Sequence, residues 1–308
     1  MPKVGLKITK QRRVLMSFSL LATIILCASV AWLNLVRPAQ ALGQVYVVTN
    51  TNDSGTGSLR QAIIDANANG TLLNGEPHNI QFDIPVTGVH TITLETALPT
   101  ISRPMIIDGT TQSGSSCGNL VPSAPGQSNT PHNLNIELIA PPQNRTDTMS
   151  ITATNTTIRG LVFGGKNNTG SALSILSSGS NIIIECNYIG VKSDGATPAT
   201  SDGVSGSSGV VIGNNLSGEI SNITIRNNLI ANYSGDIGYA GASGTKENIN
   251  INGNAIGVSA DLNETIENSN YGAKGIILSG TKNLTIENNV VGGVGQSYVH
   301  PYNDAIWL

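Results

Sequence analysis

The sequence is poor in charged and in aromatic residues. Asp, Glu, Lys and Arg make up 11% of its 308 residues, where an ordinary globular chain has about 25%. A single segment, residues 14–36, is apolar enough to span a membrane, which excludes a membrane protein with many spans. Aromatic residues are 4%, and abundant Val and Ile argue against a helical bundle. The 39% of apolar residues can bury a core, which argues against long disorder.

Charge is divided unevenly along the chain. Residues 1–41 hold six Lys and Arg residues and no acidic residue. The rest of the chain holds ten basic and nineteen acidic residues, a net charge of −9. Because nucleic acid is bound mainly by basic surfaces, this acidic remainder argues against nucleic acid as the main partner.

The first 41 residues have the order of a secretory signal. Basic residues come first, an apolar run extends from Val14 to Val36, and Ala39 and Ala41 are the small residues that a signal peptidase reads. The run is long for a signal and is close to the length that spans a bilayer. We predict a signal peptide over 1–41 and a secreted or cell-surface protein. Retention of the segment as a transmembrane anchor is the alternative.

Cysteine and histidine are both scarce. Of three cysteines, Cys117 and Cys186 remain after removal of the leader. Export permits a disulfide bond between them, and a pair of buried free thiols is the alternative. The four histidines have no metal-ligand spacing, so we predict no metal and no other cofactor.

Five segments align on an Asn that is followed by alternating apolar residues. The segments begin at Asn155, Asn181, Asn222, Asn248 and Asn283. Their consensus is N-[IL]-x-I-x-x-N-x-[IV]-G, from which the first copy departs at Thr156 and Leu161. The copies are 26, 41, 26 and 35 residues apart. A constant core with variable spacers predicts one coil per copy, with loops inserted at one corner.

Alternation within each copy has the period of a strand with one buried face. Another short apolar run precedes each later copy, at Leu173–Ile175, Val210–Ile212, Ile237–Tyr239 and Ile276–Leu278. Three strands and three turns per coil predict an all-β fold, a right-handed parallel β-helix. Stacked coils would place the second Asn of successive copies about 4.8 Å apart, where amides form a ladder. That ladder would contain Asn187, Asn228, Asn254 and Asn289.

The N-terminal part predicts a strand at Val45–Val48 and a short helix from Leu59 to Ala66. Ser58 is a suitable N-cap, and Leu59, Ile63 and Ile64 share one face of the helix. Because a solenoid needs a cover at its open end, we predict that this helix caps the first coil.

We predict three parts of the chain: the leader 1–41, a cap with the first coils at 42–133, and the β-helix repeats at 134–308. Residues 113–131, rich in Ser, Gly and Pro, predict a surface loop. Ala305–Leu308 aligns with Gly275–Leu278, the first strand of a coil. A coil that stopped there would expose strand edges, so we expect the sequence to be a fragment. A natural end capped by a partner is the alternative.

The repeats resemble those of right-handed parallel β-helix proteins of the pectin-lyase-like superfamily. Val47–Ile63, Thr91–Leu94 and Ile106–Gln112 resemble the N-terminal part of large bacterial surface β-helix proteins. Asn187–Gly190 followed by Ser193–Gly195 resembles their repeat unit. The resemblance covers about residues 45–308 and implies the fold and an extracellular setting. It does not fix an activity, because the superfamily contains lyases, hydrolases and adhesins.

In the enzymes of that superfamily the substrate lies along the first strand of each coil. The resemblance places the outward residues of these strands at Ser174, Val211, Gly238, Ile277 and Trp307. None of these is a general acid or base. The nearest charged residues are Asp236, Lys274 and Asp304, each just before its strand, and they are the candidate catalytic residues. A solvated row of ion pairs is the alternative interpretation of this cluster.

Two further rows of side chains follow from the alignment. Four tyrosines are predicted in loops at one corner, where their rings could stack on sugars or shield apolar edges: Tyr233, Tyr271, Tyr298 and Tyr302. An outward row is predicted to pair from coil to coil and to serve structure and solubility: Arg159, Glu185, Arg226, Asn252 and Glu287.

These features predict an extracellular or cell-surface β-helix protein that is adhesive and glycan-binding or is a structural stalk. The expected partner is a polysaccharide or a cell-surface glycan, and membrane contact is expected through the leader alone, if it is uncleaved. The sequence favours a protein without catalytic activity. The alternative is a polysaccharide lyase or glycoside hydrolase acting on an extracellular polysaccharide.

Overall fold

A computed structural model describes residues 43–69, 76–122, 124, 126–140, 147–165, 170–176, 178–199, 204–214, 218–240, 245–266, 274–293 and 305–308. Within these ranges the side chains of residues 204–207, 214, 239–240, 274 and 307 are not described. The chain divides into residues 1–42, outside the described part, and one compact unit, Gly43–Leu308. The predicted leader therefore lies outside the described residues. Within them, no helix is long and apolar enough to cross a membrane.

The described chain winds into a right-handed parallel β-helix of short strands, with helix α1 at Leu59–Ala68. In chain order the strands are β1 (Val45–Val48), β2 (His78–Phe82), β3 (His90–Thr93), β4 (Met105–Asp108), β5 (Ile136–Ile139), β6 (Met149–Ile151), β7 (Thr154–Arg159), β8 (Val162–Gly164), β9 (Leu173–Ile175), β10 (Ser180–Glu185), β11 (Tyr188–Ile189), β12 (Val204–Asn214), β13 (Ile220–Arg226), β14 (Leu229–Ile230), β15 (Tyr233–Ala240), β16 (Lys246–Asn252), β17 (Ala255–Ile256), β18 (Lys274–Ile277), β19 (Thr281–Glu287), β20 (Val290–Val291) and β21 (Ile306–Trp307). A 3₁₀ turn spans Gly109–Thr111.

The strands form three parallel sheets, one on each side of the coil. Sheet A has the order β1-β2-β4-β7-β10-β13-β16-β19. Sheet B has the order β3-β5-β8-β11-β14-β17-β20, and sheet C has the order β6-β9-β12-β15-β18-β21. From β6 onward, each coil passes from sheet C to sheet A to sheet B. The predicted fold of three strands per coil is thereby confirmed.

The alignment of the five sequence copies is the register of sheet A. Ile182 pairs with Thr156 and with Ile223, and Ile249 pairs with Ile223 and with Leu284. The apolar side chains at alternate positions point inward and stack in one continuous cluster that extends from Val48 to Leu278. Burial of these side chains is the main favourable contribution to folding.

The predicted amide ladder is present at the corner between sheets A and B. Nδ2 of Asn187 donates to Oδ1 of Asn228 over 3.0 Å, Asn228 donates to Asn254 over 3.1 Å, and Asn254 donates to Asn289 over 2.9 Å. The same Oδ1 of Asn228 also accepts the backbone N–H of Asn187, and Nδ2 of Asn228 also donates to the carbonyl of Ile184. Each amide therefore holds its own bend and the neighbouring coil together.

The residue before each ladder Asn gives the bend its direction. Cys186, Asn227, Gly253 and Asn288 have φ values of 57°, 52°, 66° and 55°. Asn tolerates this left-handed conformation, and glycine adopts it without a steric penalty. In the first copy Gly160 occupies this position with φ 72°, and the N–H of Leu161 donates to Oδ1 of Asn187. The buried ladder therefore ends at Asn187, because the first copy has Leu161 in place of the ladder Asn.

A second amide ladder, which the sequence reading did not predict, runs along the exposed start of sheet A. The first Asn of each copy donates through Nδ2 to Oδ1 of the preceding copy over 3.0 Å. Its members are Asn155, Asn181, Asn222, Asn248 and Asn283, with φ values of 51° to 57°. Its donors point toward the N-terminal coils, whereas those of the buried ladder point toward the C-terminal coils.

The predicted outward row also pairs from coil to coil. Glu185 contacts Arg226 over 2.6 Å and Arg159 over 3.6 Å, and Arg159 also contacts Asp108 over 3.0 Å. Nδ2 of Asn252 donates to Oε1 of Glu287 over 2.8 Å. These contacts are largely exposed, so each adds about 0–1 kcal/mol. They serve register and solubility, as predicted.

Helix α1 covers the N-terminal end of the solenoid. Oγ of Ser58 accepts the N–H of Gln61, and the helix continues two residues beyond the predicted end, to Ala68. The buried face consists of Leu59, Ala62, Ile63 and Ala66. Ile64 was predicted on this face and is 42% exposed, because its position lies a quarter turn outside the stripe that Leu59 and Ile63 define.

We expect Asn228→Ala to lower the free energy of unfolding by about 3–5 kcal/mol. The substitution removes the acceptor of the Asn187 N–H and the donor to Ile184 O, and each buried group left unpaired costs about 1–3 kcal/mol. Urea unfolding measures the change.

The matched control is Asn222→Gly in the exposed ladder, which keeps a residue suited to positive φ and should lower the free energy of unfolding by less than about 1 kcal/mol. Equal losses for the two variants would show that the buried ladder has no special role.

Candidate functional site

The outward face of sheet C was the predicted place for a substrate. Ser174 and Val211 occupy it but are only 1% and 6% exposed, although they do not belong to the interior cluster. Gly238 is buried and Ile277 is half-buried, and the side chain of Trp307 is not described. Along the described part of this face, no side chain is an acid or a base. The described side chains of this face are thus covered or half-buried rather than open.

Asp236 does not lie at the surface before its strand, as was predicted. It lies within β15, is 3% exposed, and shares a register position with Gly209 of β12 and Gly275 of β18. A Cβ at Gly209 would meet Ile230 and Ile189, and a Cβ at Gly275 would meet Val291 and Ile256. This column of positions faces the inner side chains of sheet B. The carboxyl group is therefore directed into the solenoid.

The other two residues of the predicted catalytic cluster are not placed as a site. Lys274 pairs through its backbone with Gly235, one position before Asp236, and its side chain is not described. Asp304 lies outside the described residues. The catalytic role predicted for these two residues therefore stays a prediction.

Burial dominates the electrostatics of Asp236 and Tyr233. Burial raises the pKa of the Asp236 carboxyl well above its usual range, and a hydrogen bond from the Tyr233 N–H opposes that shift only in part. Oδ1 of Asp236 has no hydrogen-bond partner. Burial, together with the nearby Asp236, also raises the pKa of the Tyr233 phenol.

Tyr233 was predicted in a loop, as one of four sugar-stacking candidates. It is instead the first residue of β15, is 4% exposed, and packs in the interior cluster with its ring over Gly190. Only two residues separate β14 from β15, so Tyr233 belongs to the strand rather than to a loop, and its ring lies in the interior. Tyr271, Tyr298 and Tyr302 lie outside the described residues, and sugar binding by them stays a prediction.

Residues 113–133, here called the strap, cross the outer face of sheet B. A disulfide bond joins Cys117 of the strap to Cys186 at the bend between sheets A and B. The sequence left this bond open because spacing alone cannot show that two residues 69 positions apart meet. Cys186 occupies the left-handed position that Gly or Asn fills in the other coils.

The strap is more than the surface loop that its composition suggested. Its residues Leu120 and Val121 join an outer apolar cluster with Val162, Tyr188 and Leu229 of sheet B. Asn227 of the next coil also holds it: Oδ1 accepts the N–H of Leu120 over 3.0 Å, and Nδ2 donates to the carbonyl of Gly118 over 2.9 Å. Sheet B therefore has apolar side chains on both faces. This second layer explains why its short strands do not alternate in burial.

Two loops of similar form complete the outer layer. Residues 191–198 and 258–265 each close through an antiparallel bridge, Val191 with Pro198 and Val258 with Thr265. Asp194 accepts the N–H groups of Ala196 and Thr197, which fixes the turn and lowers the pKa of the carboxyl against its partial burial. No group of three or more His, Cys, Asp or Glu side chains in the described chain is arranged to hold a metal ion.

His132 links the strap to the bend beneath it. Its Nδ1 accepts the N–H of Gly118 over 2.8 Å, so its proton is on Nε2, which donates to the carbonyl of Asn227 over 2.9 Å. The ring stacks on Tyr188 with centroids 5.3 Å apart, and the Tyr188 hydroxyl donates to the His132 carbonyl. Burial lowers the pKa of His132 to about 4, against the pull of the Asn227 carbonyl.

A groove of about 390 Å³ lies beside β1, the last strand of sheet A at its N-terminal end. Tyr46 and Val47 line one side of it, and Ser58, Gln61 and Asp65 line the other. Asp65 is its one ionisable carboxylate. Glycoside hydrolysis uses two carboxyl groups, so this groove does not have the residues for that reaction.

We expect Cys117→Ala and Cys186→Gly to lower the free energy of unfolding by about 2–5 kcal/mol each, because both remove the disulfide. Cys186→Ala should lower it by roughly 1–2 kcal/mol more than Cys186→Gly, since φ at this position is 57°. Urea unfolding of the three variants measures both effects, and an equally stable Cys186→Ala variant would contradict the role of the bend.

We expect the strap to lose stability in acid. The pKa of His132 is about 4 in the folded chain and about 6.5 in the unfolded chain, so its contribution is complete above pH 6.5 and is lost as the pH falls toward 4. The loss amounts to about 3 kcal/mol. Hydrogen exchange of residues 113–133 at pH 7.5 and 4.5 measures it.

The expected result is a flat pH dependence in His132→Gln and an unchanged one in the control His90→Gln. An unchanged pH dependence in His132→Gln would remove His132 as the cause.

Comparison with known proteins does not extend these observations. No family model matches the chain, and no curated protein matches its sequence. The family is therefore not shown by sequence similarity. What the chain has in common with parallel β-helix proteins is the winding of short parallel strands into three sheets, with one helix near the N-terminal end.

Proposed function

We propose that this chain forms the rod of an extracellular or cell-surface protein, and that the rod adheres to a glycan. The observation that carries the proposal is the outward face of sheet A. The Asn ladder repeats on it with the spacing of the coils, and beside it lies a second row with Thr157, Thr224, Asn250 and Thr285, which Ile183 interrupts. Eight stacked strands give this face a height of about 34 Å.

The Asn ladder keeps hydrogen-bonding capacity for a ligand. A side-chain amide has two N–H groups and two oxygen lone pairs, and the ladder uses one of each. Asn181, Asn222 and Asn248 are exposed, so the second N–H and the second lone pair face solvent. A periodic array of donors and acceptors is suited to a polymer with periodic hydroxyl groups, which supports a polysaccharide partner.

Charge favours a neutral glycan over an acidic one. The chain after residue 41 has a net charge of −9, and the charged row of sheet A pairs Arg159 and Arg226 with Glu185. Arg159 also pairs with Asp108, so the two arginines face two carboxylates within the same sheet. An acidic polymer would meet net repulsion, whereas a neutral polymer would not.

An extracellular setting is supported by two features. The disulfide between Cys117 and Cys186 is a bond that persists in oxidising compartments. The order of basic start, apolar run and small residues in 1–41 is that of a secretory signal. Membership of the pectin-lyase-like superfamily, within large bacterial surface proteins, belongs to the same proposal and is supported by the parallel β-helix.

Catalysis on a polysaccharide is the second candidate, motivated by the resemblance. Its acid–base residues would lie among Asp236, Lys274 and Asp304, or outside the described residues. An interior Asp236 does not favour this candidate, because a general acid must reach the bond that it protonates.

Binding to an array of neutral and acidic glycans tests the proposal. We expect retention of neutral polymers, and a loss of at least about tenfold in affinity for the triple variant Asn222→Gly, Asn248→Gly, Thr224→Ala, because several hydrogen bonds of about 1 kcal/mol are removed. Glycine suits the positive φ of both Asn positions, so the fold should persist.

The comparison variant is Tyr271→Ala, Tyr298→Ala, Tyr302→Ala, which tests the aromatic loops. Binding that is lost in the tyrosine variant alone would move the binding site away from sheet A. No binding to any glycan would leave the stalk without an adhesive role.

Incubation of the same polymers with the protein tests catalysis. Release of reducing ends or unsaturated products would contradict the non-catalytic proposal. Loss of that release in Asp236→Asn or Lys274→Ala would assign the reaction to the predicted cluster.

A further inference from the structure

Asp236 interrupts a column of small residues inside the solenoid. The residues in register at the first turn of sheet C are Thr148, Ala172, Gly209, Asp236, Gly275 and Ala305. Ala172 belongs to the interior cluster and is 3% exposed. Four of the six coils thus have at most a methyl group at this position, the coil of β6 has the buried side chain of Thr148, and the coil of β15 has a carboxyl group.

The space that receives the carboxyl group is apolar. A Cβ at Gly209 would approach Ile230 to 2.6 Å, and a Cβ at Gly275 would approach Ile256 to 3.5 Å. Asp236 lies between these two coils, so Ile230 and Ile256 are the inner side chains of sheet B that it faces. The coils on either side have glycine at the same position. The carboxyl group therefore has no polar side chain above or below it within its own column.

Few polar groups bear on Asp236. The Tyr233 N–H donates to the carboxylate, while Oδ1 remains without a hydrogen-bond partner at 3% exposure of the residue. Among the described side chains, the Tyr233 phenol is the titratable group whose pKa responds to the charge of Asp236. From β12, β14 and β17 the facing residues are Gly209, Ile230 and Ile256, and from β18 it is Gly275, with the undescribed Lys274 side chain one position earlier.

We propose that Asp236 is a pH-sensitive element of the solenoid: uncharged, it lets the corner formed by residues 231–236 pack closed, and its ionisation opens that corner. A neutral carboxyl group is tolerated in an apolar interior far better than a carboxylate, whose burial without a counter-charge is costly. The open corner hydrates the carboxylate and frees Tyr233 from the interior. The device would make the rod locally looser in alkaline than in acidic surroundings.

The sign of the pH dependence follows from linkage. Burial raises the folded-state pKa of Asp236 above the unfolded value of about 3.9. The closed corner is therefore most stable below about pH 4 and loses stability as the pH rises toward the folded pKa. Within this window the opening constant should rise up to about tenfold per pH unit, because opening releases one proton. His132 acts in the opposite sense and on the strap, so a local measurement separates the two groups.

Hydrogen exchange followed by mass spectrometry of peptides covering residues 229–240 tests the proposal, with rates corrected for the intrinsic pH dependence of exchange. In the wild-type chain we expect the opening constant to rise with pH by up to about tenfold per unit above pH 4, whereas peptides over 180–189 do not follow. In Asp236→Asn, which has the same shape and no charge, the rise should disappear.

Two further variants keep the experiment decisive. Asp236→Gly restores the residue of the neighbouring coils and should be the best protected at high pH. Asp83→Asn removes an exposed carboxylate and should behave as the wild type. A pH-independent wild type, or an unchanged slope in Asp236→Asn, would overturn the proposal. So would failure of Asp236→Gly to fold, because the carboxyl group would then be required for the coil.

Discussion

Hydrogen bonding between successive coils is the constraint on which the structure depends. A solenoid coil has no stable structure by itself, because half of its backbone groups find partners only in the next coil. The buried ladder of Asn187, Asn228, Asn254 and Asn289 extends the same principle to the bends, where the strand pattern fails to pair the backbone. Each Asn satisfies its own corner and that of its neighbour. The regular sequence repeat is the result.

The variable parts of the chain lie in the loops between strands, where no hydrogen bonding between successive coils is required. Successive copies begin 26 to 41 residues apart, and the inserted loops leave the core register unchanged. The strap uses this freedom to cover sheet B, bonded through Cys186 and Asn227, two bend residues with positive φ. The disulfide therefore joins the strap, an irregular segment, to the bend between sheets A and B, which recurs in every copy. It holds the strap against sheet B rather than replacing the core.

Asp236 departs from the regularity that surrounds it. The interior elsewhere stacks mostly like on like, Ile on Ile and Asn on Asn, and the buried Asn amides pair with one another. The Asp236 carboxyl group, with glycine in register in the coil on either side, accepts from the Tyr233 N–H but leaves Oδ1 without a partner. Proteins retain such exceptions mainly where they serve a purpose other than stability. Burial of Asp236 argues against a role in catalysis at the surface and instead connects this residue with the packing of the solenoid.

The polar surface of sheet A is of a different kind from the interior. Its charged residues pair along the sheet, and its amides pair within the exposed ladder, with capacity left toward solvent. Such a face is rigid, because each side chain is fixed by the coils on both sides. Rigid and repetitive polar surfaces suit repetitive partners, which is the physical basis of the glycan proposal.

The sequence by itself determined the parts that repeat. Alternation of apolar residues and the recurring Asn were sufficient for the parallel β-helix, the register of sheet A, the buried ladder and the cap by α1, because these depend on periodic local patterns. The tertiary structure alone decided the Cys117–Cys186 bond, the strap over sheet B, and the interior positions of Tyr233 and Asp236. Those depend on which residues meet across coils at irregular corners. The alternation of a strand does not predict which way side chains point at a corner of two residues. The spacing of two cysteines does not predict that residues 69 positions apart are in contact.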